Sequence, residues 1–449
     1  MHMFPQLRKI EQKYGDSIVI VGVHSPKFPA ERETSNLREA VLRYRIEHPV
    51  VNDRDFEVWH RFGGRAWPTL MFVDPEGRVI GKHEGELPFE QFDPLVHGML
   101  EEFEERGLLD HGPSRIDLTE LVEPEGVLRF PGKVLAKDGL IYVADTNHHR
   151  ILAVTPDGNL VREIGSGLPG WLDGGSAESQ FQQPQGMALT GSTLYVADTE
   201  NHAVRTVDLA SGAVRTLAGT GEQGLQPLRG PGPARATALS SPWDLALDGP
   251  KLYIAMAGTH QIWALDLDRE SVGPLAGTGR EGLLDGPVLE AWFAQPSGLT
   301  FFGGKLYVAD SEVSAIREID LPAGRVRTVV GEDLFVFGDQ DGEGEVVRLQ
   351  HPLGITAGNG ALYLADSYNN KIKRLDLGAR QVTTWLGPGA SGGSEAAGPE
   401  ASFREPGGLC ATESGLFIAD TNNHRIAFAD WRTGEVRTII GPAALQAQK

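Results

Sequence analysis

Six variants of one phrase divide most of this 449-residue chain: IYVADTNHHRI, LYVADTENHAV, LYIAMAGTHQI, LYVADSEVSAI, LYLADSYNNKI and LFIADTNNHRI. Their aromatic markers, Tyr142, Tyr195, Tyr253, Tyr307, Tyr363 and Phe417, lie 53, 58, 54, 56 and 54 residues apart. A strand-rich unit of that length cannot cover its own apolar faces, so the copies are expected to bury them against one another and close into a ring of blades. Each repeat runs from an approach such as FQQPQGMAL through the LYVA run and a polar hinge. A third strand such as AVRTVDL and an outer strand such as AVRTLAG follow. Alternation in AVRTVDL and EVRTII marks half-covered strands, and the unbroken LYVA runs mark strands covered on both faces. Four strands per repeat predict an all-β six-bladed propeller over residues 130–441, each blade supplying its own four strands.

The hinge after each LYVA run carries the chemistry. Asp145, Asp198, Asp310, Asp366 and Asp420 occupy one repeat position. Asp side chains bond nearby backbone, so these are expected to brace the hairpin between the second and third strands. His149, His202, His260 and His424 share another position, with Ser314 and Asn370 in the remaining copies. An imidazole can donate from one nitrogen and accept at the other, which suits a bridge from blade to blade. Serine and asparagine replace its hydrogen bond but not its metal affinity, so these histidines read as structural and no metal is assigned. Asp145-Thr146-Asn147-His148-His149-Arg150-Ile151 and Asp420-Thr421-Asn422-Asn423-His424-Arg425-Ile426 resemble the Asn-His-Leu, or NHL, repeat. That resemblance implies the propeller fold and extends over all six copies.

Other features set expectations for the ring. Asp173-Gly174, Asp285-Gly286 and Asp341-Gly342 recur in the long inter-blade loops and read as tight turns. Asp339, Asp341, Glu343 and Glu345 lack the ligand register of an EF-hand and read as a solvated acidic loop. The third repeat has Ala255-Met256-Ala257-Gly258 in place of the Asp-Thr pair. Its approach, GEQGLQPLRGPGPARATALSSPWD, is the longest and richest in proline. That blade is expected to be looser or to shape a distinctive ligand surface. Gln185, Trp243, Ser297 and Leu353, in the approaches, are expected at the channel entrance. No acid, base and metal-ligand set converges there by spacing, so no catalytic residue and no cofactor are assigned.

Residues 1–106 have no repeat. They read as helix (PQLRKIEQKYG), buried strand (SIVIVGVHS), helix (SNLREAVLRYRI), short strand (PVVND), helix (FEVWHRFG), a hairpin turning at Asp74-Pro75-Glu76-Gly77, and a last helix. This order predicts an α/β domain with a parallel sheet closed by an antiparallel hairpin. It resembles the thioredoxin-like fold and its redoxin branch, with Trp67-Pro68-Thr69 matching the cis-proline loop. The resemblance implies a strand and a W-C-x-x-C motif before the first helix. Neither occurs from Met1 onward: either the natural start lies upstream, which is the preferred expectation, or the domain has lost redox chemistry. Residues 107–129 read as a linker and 442–449 as a tail. The order of the two domains resembles the NHL repeat-containing protein 2 family.

The composition narrows the function classes. Forty-one Lys and Arg against 61 Asp and Glu give a formal charge of −20, which argues against general nucleic-acid binding. The opening residues lack an apolar signal core, and no stretch approaches a membrane span, so a cytoplasmic protein is expected. Cys410 is the single cysteine, forms no intramolecular disulfide and reads as a small core residue. Three functions follow, in order of preference. The first is a non-enzymatic scaffold binding a protein or peptide at the propeller rim. The second is a thiol–disulfide oxidoreductase whose dithiol lies upstream of Met1, and the third is a metal-dependent propeller lyase or lactonase.

Overall fold

A computed structural model describes residues 3–110, 116, 121, 126–225, 228 and 230–442. Most of the linker stretch RIDLTEL and of the C-terminal tail lies outside them. The chain divides into two compact units, Met1–Glu123 and Pro124–Lys449.

In the first unit, α1 (Met3–Tyr14) places Met3, Leu7, Ile10 and Tyr14 on one stripe, the spacing of an amphipathic helix. That stripe packs on Phe92 and Val96 of α4 (Phe89–Glu105) and on Ile18, Ile20, Leu70, Phe72 and Leu87. Between them come β1 (Gly22–His24), α2 (Thr34–Tyr44), β2 (Val50–Asn52), α3 (Glu57–Arg61), β3 (Thr69–Val73) and β4 (Val79–Glu84). Strands β1 and β2 pair in parallel, and β3 and β4 pair antiparallel. The expected single sheet is instead two two-stranded sheets. The segment predicted as a buried strand is covered on one face only: Ile18 and Ile20 turn to the helices, whereas Val19, Val21 and Val23 are exposed. A continuous apolar run implied cover on both sides, and among the described residues only the helical side has it.

The second unit is a six-bladed propeller. Blade 1 comprises Lys133–Lys137, Leu140–Asp145, Arg150–Val154 and Leu160–Ile164, from the inner strand to the outer. The inner strands of blades 2 to 6 are Pro184–Thr190, Pro242–Asp248, Pro296–Phe302, Gly354–Gly358 and Pro406–Ala411. Every blade is an antiparallel sheet whose four main strands follow chain order. One apolar cluster fills each junction between neighbours, including the junction of blade 6 with blade 1. Leu128 belongs to that closing cluster, so the ring begins slightly before the expected residue 130.

One complete ring of hydrogen bonds, and a second set at five of the six junctions that lapses at Ala257 of blade 3, tie blade to blade. The first uses the repeated histidine position, where His149, His202, His260, Ser314, Asn370 and His424 all adopt left-handed backbone with φ between 48° and 53°. Each side chain accepts a hydrogen bond from a backbone N–H of the next blade. The donors are Gln183, Ser241, Gln295, His351, Glu405 and, across the closure, Phe130, at 2.9–3.2 Å. In the second set the hydroxyls of Thr146, Thr199, Ser311, Ser367 and Thr421 donate to the carbonyls of Pro184, Pro242, Pro352, Pro406 and Pro131. The blade-to-blade role expected of the histidines is thus filled by Nδ1 as acceptor.

His424 makes the closing bond titratable. Burial, with the nearby Arg404 and Arg129 charges, pushes its pKa from 6.5 down to about 4. A depressed histidine pKa means that the fold favours the neutral ring, so this contribution is complete above pH 6.5 and lost as the pH falls toward 4. Each tenfold change in proton affinity is worth roughly 1.4 kcal/mol, so the loss amounts to about 3 kcal/mol. His424→Asn should keep the closing bond, as Asn370 does between blades 5 and 6, and should flatten that part of the profile. Urea unfolding of both proteins between pH 4 and 7 checks this. Equal slopes would mean that His424 does not titrate in the closure.

Candidate functional site

The motif aspartates do more than brace a hairpin. In five blades the carboxylate is fully buried, and Oδ1 accepts the backbone N–H sixteen residues upstream, on Arg129, Gln182, Ala294, Gln350 and Arg404. Oδ2 faces a cation on the third strand: Arg150 or Arg425 five residues on, or Arg205, Arg317 or Lys373 seven residues on. Each aspartate therefore fixes the approach to the inner strand and neutralises an interior charge. The expected hairpin brace is present as well, because Oδ2 also bonds the hinge side chain three residues on, His148, Asn201, Asn369 or Asn423. Burial raises Asp198, Asp310 and Asp366 to about 6 despite those cations, so at neutral pH each remains an ionised partner.

The loop aspartates complete the pairing. Asp173, Asp285 and Asp341 contact Arg205, Arg317 and Lys373, whose side chains are 0% exposed, and accept the backbone N–H of Thr216, Thr328 and Thr384 on the outer strands. Burial would raise Asp173 and Asp341, but the threonine bonds and adjacent cations outweigh it and hold both carboxyls low. The glycines beside them do not form the tight turns expected. Gly286–Pro287 and Gly342–Glu343, with Gly232–Pro233 in the preceding loop, are short fifth strands on the outer edges of blades 4, 5 and 3. An Asp-Gly pair carries turn propensity, and the edge pairing overrode it. The acidic cluster is likewise not simply solvated, because Asp339 bonds Lys371 and Lys373. Among the described residues no group of three or more His, Cys, Asp and Glu side chains could hold a metal ion.

Blade 3 replaces the whole charge system. Met256 Sδ stands 3.2 Å from the Ser240 N–H where the other blades use a carboxylate, and buried Trp263 occupies the position of Arg205, Arg317 and Lys373. Carboxylate and cation are exchanged together for packed apolar groups, and the strand ladders remain complete. The expected loosening is absent, since a buried ion pair can be replaced by apolar side chains of similar volume without loss. Residues 226, 227 and 229 of its long approach lie outside the described ones.

At the axis, the approaches bring Gln185, Ser297 and Leu353 together, but their neighbours decide what the channel can hold. Four of the six positions two residues after the approach proline are glycine: Gly186, Gly298, Gly354 and Gly408. The other two are Lys133 of blade 1 and Asp244 of blade 3, which form an ion pair at 3.0 Å. Lys133 Nζ also donates to the carbonyls of Ser297 at 2.8 Å and Leu353 at 2.7 Å. The glycines are required by proximity: a Cβ on Gly186 would lie 2.4 Å from Asp244 Cα, and one on Gly408 would lie 2.6 Å from Lys133 Cα. Gln185 Oε1 lies over Gly132, and Trp243, next to Asp244, is half-buried. Comparing the six post-proline positions would have revealed this opposite-charge pair in the sequence.

In the propeller the exposed large apolar residues, apart from Val161 on the outer strand of blade 1, lie in the inter-blade loops among the described residues. Leu168 (61% exposed), Trp171 and Leu172 lie in the loop from blade 1 to 2, and Leu225 and Leu228 in the next. Leu284 and Leu289 follow between blades 3 and 4, then Phe335 (65%) and Val346 between blades 4 and 5. The loop from blade 5 to 6, GPGASGGSEAAGPEAS, has no large apolar residue. The apolar set therefore spans four consecutive loops and stops.

In the first unit, the Trp67–Pro68 peptide is cis. Trp67 stacks on Trp59 at 4.4 Å between ring centroids, donates from Nε1 to the Ser25 carbonyl and is 46% exposed. Thr69 donates its hydroxyl to the Ala66 carbonyl. Cys410 is buried in the propeller, and burial pushes its thiol pKa up.

A family model described as NHL repeat matches residues 128–154. NHL repeat-containing protein 2 of Homo sapiens is 39% identical over 498 aligned residues, covering 100% of this chain and 68% of that protein. Protein SUPPRESSOR OF QUENCHING 1, chloroplastic, of Arabidopsis thaliana is 42% identical, covering 98% of this chain and 44% of that protein. Thiol-disulfide oxidoreductase YkuV of Bacillus subtilis is 23% identical over 100 residues, 22% of this chain and 68% of that protein. The chain spans about two thirds or less of the length of these curated relatives. No helix among the described residues is long and apolar enough to cross a membrane.

The exchange in blade 3 generates a prediction for blade 2. Asp198→Ala removes one of the two carboxylates of a fully buried arginine and should cost about 3–5 kcal/mol. The double variant Asp198→Met with Arg205→Trp, which copies Met256 and Trp263, should recover at least half of that loss. Denaturant unfolding of the single and double variants measures the coupling. Additive losses would show that charge neutrality is not what the position requires.

Proposed function

The chain belongs to the NHL repeat-containing protein 2 family, and on that premise we propose that it is a non-enzymatic, cytoplasmic scaffold that binds a protein or peptide at the loops around the propeller. The observation carrying this reading is the run of exposed apolar side chains over four consecutive inter-blade loops. Exposed Glu222, Glu290 and Asp333 flank these anchors, and the whole chain carries a charge of −20. Exposed apolar anchors on successive loops suit a protein-binding face, and the acidic residues beside them favour a partner that is basic around its own apolar contacts. The interior charges are committed to structure: the motif aspartates hold buried cations, and the repeated imidazoles accept backbone N–H groups. Among the described residues, that use of the imidazoles gives the lyase or lactonase reading no ligand set.

A second reading is favoured by the exposed Trp67 stacked on Trp59, and by the name of the YkuV relative. On that reading the first unit takes part in thiol–disulfide exchange. Cys410 is buried and cannot serve, so the dithiol would have to come from residues outside these 449. Disulfide reductase assays on the natural full-length protein, with Cys410→Ser as the control, decide between the readings for this unit. Turnover that survives the substitution supports exchange chemistry, and its absence leaves the unit a binding module.

For the scaffold, the triple variant Leu168→Asp, Leu284→Asp and Phe335→Asp should lose most of the partners that the wild type captures from cells. Ala390→Asp with Ser391→Asp, on the loop without apolar anchors, should retain them. Quantitative affinity purification measures both, and an unchanged partner set in the triple variant would refute the reading.

A further inference from the structure

We infer that the mouth of the ring is built as a monovalent-cation site and that the protein fills it with its own Lys133 ammonium. Three oxygens converge on Lys133 Nζ from three blades: Asp244 Oδ2 of blade 3 at 3.0 Å, the Ser297 carbonyl of blade 4 at 2.8 Å and the Leu353 carbonyl of blade 5 at 2.7 Å. An ammonium has three N–H donors, and all three are used. Lys133 is 5% exposed, so the charge is held away from water by this set alone.

The oxygens are positioned independently of the lysine. Ser297 lies in the inner strand of blade 4, and Leu353 immediately precedes that of blade 5. The Asp244 carboxylate is held by backbone N–H groups, Oδ2 by Leu299 and Oδ1 by Leu245. Removing the lysine side chain would therefore leave one carboxylate and two carbonyls aimed at a common point beside four glycines. Three oxygens with a single negative charge are too few for calcium, which takes six to eight, and match the three N–H donors of an ammonium. In the native chain the tether makes the occupant permanent. One side chain from blade 1 then reaches blades 3, 4 and 5 and locks the ring across its axis. At this point of the axis the ammonium stands where an exchangeable cation would otherwise sit.

The test is rescue of Lys133→Ala, read by thermal unfolding in methylammonium chloride and in tetramethylammonium chloride at equal ionic strength. Tetramethylammonium has the charge but no N–H donor and is too large for the cage. The variant should melt several degrees below the wild type, and methylammonium should restore much of that difference saturably. The wild type should respond to neither salt. Lys133→Met, which keeps the stem and lacks the ammonium, should be destabilised and not rescued. If Lys133→Ala is obtained only unfolded, its refolding yield in the two salts gives the same reading. Equal behaviour in both salts, or a Lys133→Ala variant as stable as the wild type, would overturn the inference.

Discussion

A sheet with two apolar faces is stable only when both are covered, and this constraint governs the second unit. No blade can satisfy it alone, so each junction holds its own apolar cluster and the last blade must meet the first. The hydrogen-bonded ring and the second, five-junction set follow from the same requirement. Apolar contact sets the spacing of the blades but not their register, because it is non-directional. The imidazole-to-backbone and hydroxyl-to-carbonyl bonds are directional, so they fix each blade's rotation against the next. The left-handed backbone at the six acceptor positions aims those side chains across the junction.

Interior charge is the second theme, and the blades solve it in three ways. Blades 1 and 6 place the arginine five residues after the aspartate, and blades 2, 4 and 5 place the cation seven residues after it and add a second acidic partner from the preceding loop. Blade 3 dispenses with both charges. The common condition is neutrality of the buried set, not the identity of any member. This explains why the motif aspartate can be lost without local collapse once the cation is lost with it. The axial pair obeys the same rule over a longer span, since Lys133 and Asp244 come from blades that are not neighbours.

How much of this could be read from the chain depended on the range of the interaction. Period and alternation specified the blades, because strand burial is a local pattern repeated six times. The histidine bridges were legible because serine and asparagine at the same position share only hydrogen bonding with imidazole. The aspartate role was read in part: the hinge partner three residues ahead is local, but the backbone N–H sixteen residues back and the cation five or seven ahead are beyond any short-range propensity. The Asp-Gly pairs misled because turn chemistry and edge pairing draw on the same residues, and tertiary contact chose the second. In the first unit, an unbroken apolar run cannot reveal whether one face or two will be covered, and Val19, Val21 and Val23 fell on the open side.

The loops that hook onto outer edges have a consequence for synthesis on the ribosome. Each short fifth strand precedes in sequence the outer strand that it caps, so its cover has already been made when a new blade's edge forms. A growing chain therefore presents few unpaired edges to other nascent chains while the wheel is still open. Blade 1 has no such cap among the described residues. The seam that must wait until the sixth blade has been made is the one where His424 meets Phe130.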